Sequence, residues 1–166
     1  MLMISVAHQY SWSQTKFNVE IGQIDSVYSA VLQESREIYI QFPESYNAES
    51  TTKYPVVYIL DGGVMLNALN TVHSFYQGGF MPEMVLVGIS NADNRTRDLT
   101  TSTLSENDSQ NYGQENGEAD KFTTFIESEL IPFVEKKYPV TNYRTLIGHS
   151  YGGLFTVNML LKHSDL

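Results

Sequence analysis

The stretch LIGHSYGGLF, residues 146–155, decides the fold that the sequence predicts. It has the pattern of an apolar strand that runs into His149 and Ser150, passes two glycines and continues as an apolar helix. A strand-to-helix turn with the motif G-x-S-x-G is sharp enough to strain its serine and to expose the hydroxyl. The motif therefore predicts Ser150 as a nucleophile. A glycine-rich turn that only packs closely, or that binds a phosphate, is the alternative, although the sequence has neither a P-loop nor a G-x-G-x-x-G motif.

The turn also predicts how an oxyanion would be stabilised next to Ser150. A helix that begins just after this serine directs its first N–H groups and its positive dipole end at the reacting centre. We expect the backbone N–H of Tyr151 to be one donor, and the backbone N–H of Gly63, in the glycine-containing loop after the third strand, to be the other. A side chain at Gly148 or Gly152 is expected to collide with the neighbouring strand or helix.

None of the four histidines can be assigned as the base that Ser150 needs. His149 precedes the serine directly, but adjacent residues on such a turn point in different directions, so we expect it to pack beside the turn. His163 lies thirteen helical residues further on, which is roughly 20 Å at 1.5 Å per residue. His73 is expected on a helix face, and His8 lies near the N-terminus. The histidines are too scattered for a metal-ligand motif, so no metal and no cofactor are expected.

The sequence before this turn contains two kinds of predicted strand. Residues 17–24 and 36–42 alternate apolar and polar side chains, which indicates half-buried antiparallel neighbours. Residues 55–60 and 84–90 are continuous apolar runs rich in β-branched residues, a pattern typical of parallel strands that are covered on both faces. Residues 145–148 form a third and shorter run of the same kind.

Three helices are predicted between and after these strands. Residues 64–76 carry a rough apolar stripe, residues 118–137 carry a clearer one, and the third helix follows Ser150. Pro132 lies inside the second helix and is expected to bend or loosen it, because proline removes one backbone donor. The order of the elements predicts an α/β fold, a mostly parallel sheet with helices on both faces and antiparallel N-terminal strands.

The composition disfavours several classes of function. Nineteen acidic residues against ten basic ones give a net charge of −9, and no run of Lys or Arg is present for nucleic acid or an anionic membrane to bind. The chain has no cysteine, so the compartment stays open between cytoplasmic and periplasmic or secreted. No segment approaches the roughly 20 apolar residues of a membrane span. Residues 1–14 are expected to be a leader, disordered or left from a signal peptide, ahead of one domain over residues 15–166.

A polar segment, residues 91–117, interrupts the alternation of strands and helices, and we expect it to be a functional loop or disordered. It leaves the fourth strand at the carboxyl edge, where α/β sheets bind ligands. Arg95 and Arg97 could therefore hold an anionic or polyoxygenated substrate. Equally, Arg97 could pair with Asp98 only to order the loop. Asp61, at the end of the third strand, is expected to order the glycine-containing loop by accepting backbone N–H bonds.

Several blocks of the sequence, taken together, resemble one family. They are SREIYIQFPESYN (35–47), YPVVYILDGG (54–63), VLVGISNADNRTRDLTTS (85–102), FTTFIESELIPFVEKKYPV (122–140) and LIGHSYGG (146–153). They resemble the esterase family of the α/β-hydrolases, which includes enterochelin (siderophore) esterases, S-formylglutathione hydrolase and the mycolyltransferase antigen 85 proteins. The segment NRTRDLT in particular is similar to the R-x-R-D-x-T block of the siderophore esterases.

The resemblance implies a carboxylic ester hydrolase with a Ser-His-Asp/Glu triad or a Ser-His dyad, acting on a small-molecule ester. Ser150 would be its nucleophile, and the backbone N–H groups of Tyr151 and Gly63 its oxyanion hole. In this fold the acid and the histidine follow the serine in chain order. We therefore expect both beyond residue 166, and expect the chain as it stands to be inactive or weakly active. Acyl transfer at the same site, or a non-catalytic binding module of the same fold, are the alternatives.

The resemblance also predicts an incomplete sheet. In the strand order of the family, the strand that ends at Ser150 is interior, and later strands lie beyond it. The 166-residue chain is expected to lack these C-terminal strands and to expose a strand edge together with an apolar helix face. Unpaired strand edges are templates for pairing with another chain, so self-association through this edge is expected to be possible.

Overall fold

The computed structural model describes residues 19–91, 93–103, 105–107 and 116–163. Within them, one five-stranded sheet contains β1 (Gln23–Ser29), β2 (Glu34–Gln41), β3 (Tyr54–Ile59), β4 (Val85–Ile89) and β5 (Val140–Ile147), in the order β1-β2-β4-β3-β5. β2 is antiparallel to both of its neighbours, whereas β3 is parallel to β4 and to β5. Four strands therefore run in one direction and β2 runs against them. The predicted leader, residues 1–14, lies outside the described residues.

Helices cover both faces of this sheet, as the sequence predicts. They are α1 (Gly62–Tyr76), α2 (Arg95–Leu99), α3 (Ala119–Phe125), α4 (Ile131–Lys137) and α5 (Tyr151–Lys162). Val57 and Ile59 of β3 belong to the core cluster that includes Leu66 of α1. The alternate residues Val56 and Tyr58 belong to a second cluster, to which α2, α3, α4 and α5 contribute. Because successive strand residues point to opposite faces, the two clusters lie on opposite sides of the sheet.

The helical segment 119–137 is loosened next to Pro132, as the sequence predicts. Ile126–Leu130 form a π-helical turn between α3 and α4, and the N–H of Ile131 donates to the carbonyl of Ile126, five residues earlier. Pro132 lies in the first turn of α4. A proline has no N–H for the usual bond to the carbonyl four residues earlier, and its ring would clash with that carbonyl. The wider π turn accommodates both effects.

The first strand is wrong in position, because the alternation in residues 17–24 precedes most of β1. The buried side chains of β1 are those of Val27 and Ser29, whereas Ile24 is 70% exposed. The hydroxyl of Ser29 donates to the carboxylate of Glu129. Because one of the two buried positions of β1 is polar, the strand itself has only a weak apolar alternation. The stronger alternation of residues 17–24 was therefore taken for the strand.

β5 is longer and more exposed than its apolar run predicts. It covers residues 140–147 rather than 145–148 and is parallel to β3 as expected, but it is the last strand of the described sheet and is only partly covered. It contacts α5, which carries four exposed apolar side chains. These are Leu154, Val157, Leu160 and Leu161. The described part of the chain therefore has the free strand edge and the apolar helix face that the sequence predicts.

Candidate active site

Ser150 lies between β5 and α5 in a conformation that few L-residues adopt. Its φ is 57° and its ψ is −118°, and the residue is exposed. The N–H of Leu154 donates to its carbonyl over 3.0 Å, so α5 begins immediately after it. A strained non-glycine backbone persists only where the surrounding structure forces it. The geometry is that of the sharp turn that the G-x-S-x-G motif requires, and residues 148–152 are called the elbow below.

The tightness of the elbow depends on Gly148. A Cβ at this position would lie 2.3 Å from the backbone carbon and oxygen of Gly152 and 2.9 Å from Oγ1 of Thr156. A Cβ at Gly152 would meet the side chain of Leu60 at 3.5 Å, which is an ordinary contact. The predicted collision is therefore confirmed for Gly148 and wrong for Gly152, because the second Cβ would point at a side chain that leaves enough room.

The segment after β3, residues 60–64, includes the first three residues of α1 and is called the loop after β3 below. It lies against the elbow and contains a second strained residue, Asp61. Its φ of 54° and ψ of 40° are left-handed, and its N–H donates to Oδ1 of Asn91 over 3.1 Å. Its backbone carbonyl accepts the N–H groups of Val64 and Met65 at 2.9 and 3.0 Å. The side chain makes no capping bond; Oδ1 instead accepts Nε of Arg95 at 2.9 Å. The expectation that the Asp61 carboxylate accepts backbone N–H groups is therefore wrong, since the backbone carbonyl does so.

Two glycines follow Asp61 and have different surroundings. A Cβ at Gly62 would lie 2.5 to 2.6 Å from the backbone of Gly88 and Ile89, so this glycine lets α1 begin directly against β4. Gly63, whose N–H is the second expected oxyanion donor, is exposed. A Cβ at Gly63 would lie 3.3 Å from the hydroxyl of Tyr39. Gly63 therefore faces the space between its own loop and β2.

A cavity of about 370 Å³ occupies this space. Tyr39, which the sequence analysis missed, lines the cavity. Its hydrogen bond to Glu37 and its burial raise the pKa of the Tyr39 hydroxyl. The only available signal was its place in the alternation of β2, opposite to the buried Ile38 and Ile40. The lining residues come from β2, the loops after β3 and β4, the first turns of α1 and α2, and the elbow: Tyr39, Asp61, Gly63, Val64, Met65, Ser90, Asn91, Arg95 and His149.

Arg95 joins the loop after β3 to the elbow. Its Nε donates to Oδ1 of Asp61 at 2.9 Å, and its Nη2 donates to the backbone carbonyl of His149 at 3.3 Å. The guanidinium carbon lies 5.3 Å from the ring centre of Tyr151, within the range of a cation–π contact. Arg95 thus lies at the cavity, and two of its nitrogens already bind protein oxygens.

Arg97 points away from the cavity lining and is almost buried, at 8% exposure. Its Nη2 lies 2.8 Å from Oε1 of Glu34 and 2.8 Å from Oδ1 of Asp98. The hydrogen bond to Glu34 raises the pKa of the guanidinium above its ordinary value, and the same bond lowers the pKa of Glu34. These contacts favour the alternative in which Arg97 orders the loop.

Asp98 is the centre of this buried polar group, with an exposure of 0%. Its Oδ2 accepts Nη1 of Arg36 at 2.7 Å and Nδ2 of Asn91 at 3.0 Å. These hydrogen bonds therefore connect α2 to β2 through Arg36, and to the loop after β3 through Asn91, whose Oδ1 accepts the N–H of Asp61. The sequence analysis missed Arg36, although it lies on the same face of β2 as the buried Ile38, where a charged residue needs a partner.

No histidine of the described residues forms a hydrogen bond with Ser150. His149 is exposed and lines the cavity, beside the serine as the sequence predicts. His73 is buried on α1 and accepts a backbone N–H from residue 84. His163 pairs with a glutamate at the far end of α5, and His8 lies outside the described residues. Within the described residues, Ser150 therefore has no histidine as a hydrogen-bond partner.

No three His, Asp or Glu side chains of residues 19–91, 93–103, 105–107 and 116–163 are grouped so that they could hold a metal ion. None of the helices within these ranges has the length and the apolar character that a bilayer crossing requires. The polar groups around Ser150 are those of the elbow, the loop after β3 and Arg95.

Comparison with known proteins identifies relatives of this arrangement. A family model described as "Putative esterase" matches residues 29–166. Among curated proteins, the ferri-bacillibactin esterase BesA of Bacillus subtilis is 30% identical over 148 residues, which cover 80% of this chain and 51% of that protein. The apo-salmochelin esterase of Escherichia coli is 28% identical over 121 residues, which cover 67% of this chain and 38% of that protein.

Solved structures agree with the family. An IroE-like serine hydrolase from Shewanella oneidensis is 39% identical, with a TM-score of 0.73 over 84% of this chain and 46% of that chain. The enterobactin esterase FES from Shigella flexneri shares the fold, with a TM-score of 0.66 over 87% of this chain at 19% identity. The chain spans about half or less of the length of these relatives. It belongs to this esterase family and has the corresponding part of the α/β-hydrolase fold.

Proposed function

We propose that this member of the esterase family is the nucleophile-bearing part of a serine hydrolase that cleaves carboxylic esters. The observation that carries the proposal is the backbone of Ser150, with φ 57° and ψ −118° between a parallel strand and a helix. This conformation is costly for a serine, and a structural turn could avoid the cost with a glycine. The strain is explained if the hydroxyl must stand exposed at the N-terminal end of α5.

In the proposed reaction, the Ser150 hydroxyl oxygen bonds to the ester carbonyl carbon while its proton passes to water, and the carbonyl oxygen becomes an oxyanion. Collapse of this intermediate breaks the bond to the alcohol, which leaves with a proton from water, and a second water then hydrolyses the acyl-serine to the free acid. The backbone N–H of Tyr151 lies at the first residue of α5, where the positive end of the helix dipole favours a developing negative charge. It and the N–H of Gly63 are the proposed donors to the oxyanion, supported by the cavity beside Gly63. Arg95 and Arg97 were the predicted substrate ligands, and the cavity supports a ligand contact for Arg95 only.

The substrate class that we propose is a small-molecule ester of the siderophore type. Two relatives have names that describe esterases of siderophores, ferri-bacillibactin and apo-salmochelin. The cavity of about 370 Å³ opens between the elbow and β2, and its walls include the aromatic ring of Tyr39 and the cation of Arg95. Catechol rings and carboxylates are the groups that such walls would contact.

We further propose that the 166-residue chain by itself reacts slowly. The Ser150 proton has to leave during the attack, and the described histidines offer no base within hydrogen-bond reach of the hydroxyl. A serine without its base loses several orders of magnitude in rate, although substrate binding and the oxyanion hole leave a residual rate. Weak reactivity at the correct serine is therefore expected.

A fluorophosphonate probe tests this proposal, because it phosphonylates nucleophilic serines and an oxyanion hole stabilises the charge that develops on its phosphoryl oxygen. Incubation of the folded chain, followed by peptide mass spectrometry, is expected to find the adduct on Ser150 and none in a Ser150→Ala variant. A panel of esters, including a linear catecholate-serine ester, then measures substrate preference. A folded chain with no adduct on Ser150 after prolonged incubation would overturn the assignment of the nucleophile.

The free edge of β5 and the apolar outer face of α5 support a second proposal, that copies of the chain associate through this side. The exposed edge of a strand can hydrogen-bond to a strand of another chain. The edge of β5 lies beside α5, whose four exposed apolar side chains could be buried in the same contact. Sedimentation velocity over a range of concentrations measures the association. A monomer at the highest soluble concentration would contradict this proposal and leave the assignment of Ser150 unchanged.

A further inference from the structure

We infer that Arg95 is a positioning residue, which sets the separation between the two backbone donors of the oxyanion hole. The inference rests on the proposed function, in which the N–H groups of Gly63 and Tyr151 are those donors. They lie on separate segments, one on the loop after β3 and one on the elbow. An oxyanion hole works only if both N–H groups lie at hydrogen-bond distance from one oxygen, so some contact has to fix the two segments relative to each other.

Arg95 contacts each of these segments two residues before its proposed donor. Asp61, which accepts Nε at 2.9 Å, is two residues before Gly63. His149, whose carbonyl accepts Nη2 at 3.3 Å, is two residues before Tyr151. The guanidinium is also within 5.3 Å of the Tyr151 ring centre. One planar, rigid cation thus spans the gap between the two donors, which a flexible lysine could not do with the same geometry.

Both ends of this connection are strained. Asp61 has φ 54° and Ser150, next to His149, has φ 57°. Such conformations relax to negative φ when the contacts that force them are lost. Rotation of either backbone would also turn the neighbouring N–H groups away from the position of the oxyanion. The contacts of Arg95 therefore hold the two segments in the conformation in which their donors can converge.

Arg95 is itself fixed by the buried group around Asp98. It is the first residue of α2, and Asp98 in the same helix is fully buried and bound to Arg36. Asn91 adds a second connection, because its Oδ1 accepts the N–H of Asp61 while its Nδ2 donates to Asp98. The position of Arg95 is thus determined from the protein side, before any substrate arrives.

The alternative is that Arg95 contacts the substrate directly. A direct contact would bind an anionic substrate more tightly than a neutral one, and its loss would weaken binding of the anionic substrate only. A positioning residue acts on the reaction step, so that its loss slows reaction with neutral and anionic reagents by the same factor. The two roles are therefore separable by the charge of the reagent and by which constant changes.

The test uses two alkyl fluorophosphonates, one neutral and one with a terminal carboxylate, on the 166-residue chain and its Arg95→Ala and Arg95→Lys variants. Arg144→Ala is the matched control, since it removes an arginine that pairs with Glu135 outside the site. Each protein gives a maximal labelling rate and a half-saturating concentration. Nitrogen-15 correlation spectra of the same proteins report the amide signals of Gly63 and Tyr151.

We expect Arg95→Ala to lower the maximal rate about 10- to 100-fold for both reagents, with an unchanged half-saturating concentration, because small displacements of oxyanion donors cost factors of this order. Arg95→Lys should recover part of the rate, and Arg144→Ala should have the wild-type rate. The Gly63 and Tyr151 amide signals should shift in Arg95→Ala and not in Arg144→Ala.

An unchanged maximal rate, or a loss confined to the anionic reagent, would overturn the positioning role. If the wild-type chain shows no adduct at Ser150, the proposed function fails, and the amide signals then decide the present inference alone. Shifted signals in Arg95→Ala would still support the connection between the two segments, whereas unshifted signals would overturn it.

Discussion

Along the strand order, the two halves of the sheet differ in how completely their polar and apolar groups are paired; the half of β2 and β4 is called the closed side below, and the half of β5 and α5 the open side. On the closed side, Arg36 and Asp98 are buried and hydrogen-bonded to each other. On the open side, the strand edge is free within the described residues, and Leu160 and Leu161 are 66% and 79% exposed. Ser150 follows β5, and the carbonyl of its neighbour His149 accepts Nη2 of Arg95 from the closed side.

The two sides would contribute different parts of the proposed site. The closed side anchors Arg95, which contacts Asp61 in the loop of Gly63. The open side carries Ser150 and Tyr151, and there the described chain has neither a further strand nor a base for Ser150. In this proposal, the described residues supply the nucleophile and the oxyanion donors, and the group that removes the proton is separate from them.

Of the substitutions on the closed side, Asp98→Ala should lower the free energy of unfolding most. It leaves the buried guanidinium groups of Arg36 and Arg97 without one of their carboxylate partners, and removing one partner of a buried ion pair costs about 3–5 kcal/mol. Urea unfolding measures the loss. Asp120→Ala, which removes an exposed partner of Lys162, is the control and should cost less than about 1 kcal/mol. Equal losses in both variants would contradict the account of a closed, buried polar group.

Gly148→Ala tests the place where the two sides meet. Its Cβ would lie 2.3 Å from backbone atoms of Gly152, so the elbow has to open, at an expected cost of about 2–4 kcal/mol. Gly152→Ala has its nearest contact at 3.5 Å and should change stability by less than about 1 kcal/mol. Thermal and urea unfolding of the two variants measure the contrast. Comparable losses would mean that the elbow is not limited by Gly148.

Glu34→Gln tests the closed side through its pH dependence. The hydrogen bond from Arg97 lowers the folded-state pKa of Glu34, so its contribution to stability is present above the unfolded-state pKa of about 4.3 and is lost as pH falls through the lower folded-state value. The variant should therefore lose less stability between neutral and acidic pH than the wild type, with a smaller total effect than Asp98→Ala. Glu49→Gln, at an exposed position, controls for the change in net charge. A wild-type acid slope in Glu34→Gln would contradict this coupling.

Leu160→Gln combined with Leu161→Gln tests the open side and should have the smallest effect on stability, within about 0.5 kcal/mol, because both side chains are largely exposed. The pair should weaken self-association if α5 is part of the contact. Sedimentation velocity measures the association and urea unfolding the stability. A marked loss of stability in the monomer would mean that these leucines are buried by this chain itself.

Much of the fold follows from patterns in the sequence. The continuous apolar runs that became β3 and β4 are buried on both faces, and burial of that kind leaves a strong signal. β1 and β5 were misplaced or shortened because edge strands carry polar residues on their exposed positions, so that the periodicity that identifies a strand is diluted. The loosening of the helix next to Pro132 was predicted from the chemistry of proline, whereas its form as a π turn was not.

The candidate site was only partly predictable, for a physical reason. Ser150 and Gly63 belong to local patterns, in which the order of residues defines the turn. The partners of Arg95 and Arg36 are instead brought together by the sheet order, since Arg36 and Asp98 are 62 residues apart in the chain. Such contacts have no local signature, and the sequence analysis left the roles of the two arginines of residues 95–97 open for that reason.

We propose that Ser150 is a nucleophile held in an exposed, strained conformation without a base in the described chain. The pH dependence of fluorophosphonate labelling at Ser150, with the adduct located by mass spectrometry, separates this from a serine with an intact base. We expect a slow adduct on Ser150 whose rate rises with hydroxide concentration and shows no inflection near the histidine pKa of about 6.5. A rapid reaction with an inflection at that pH, or an adduct on another residue, would contradict it.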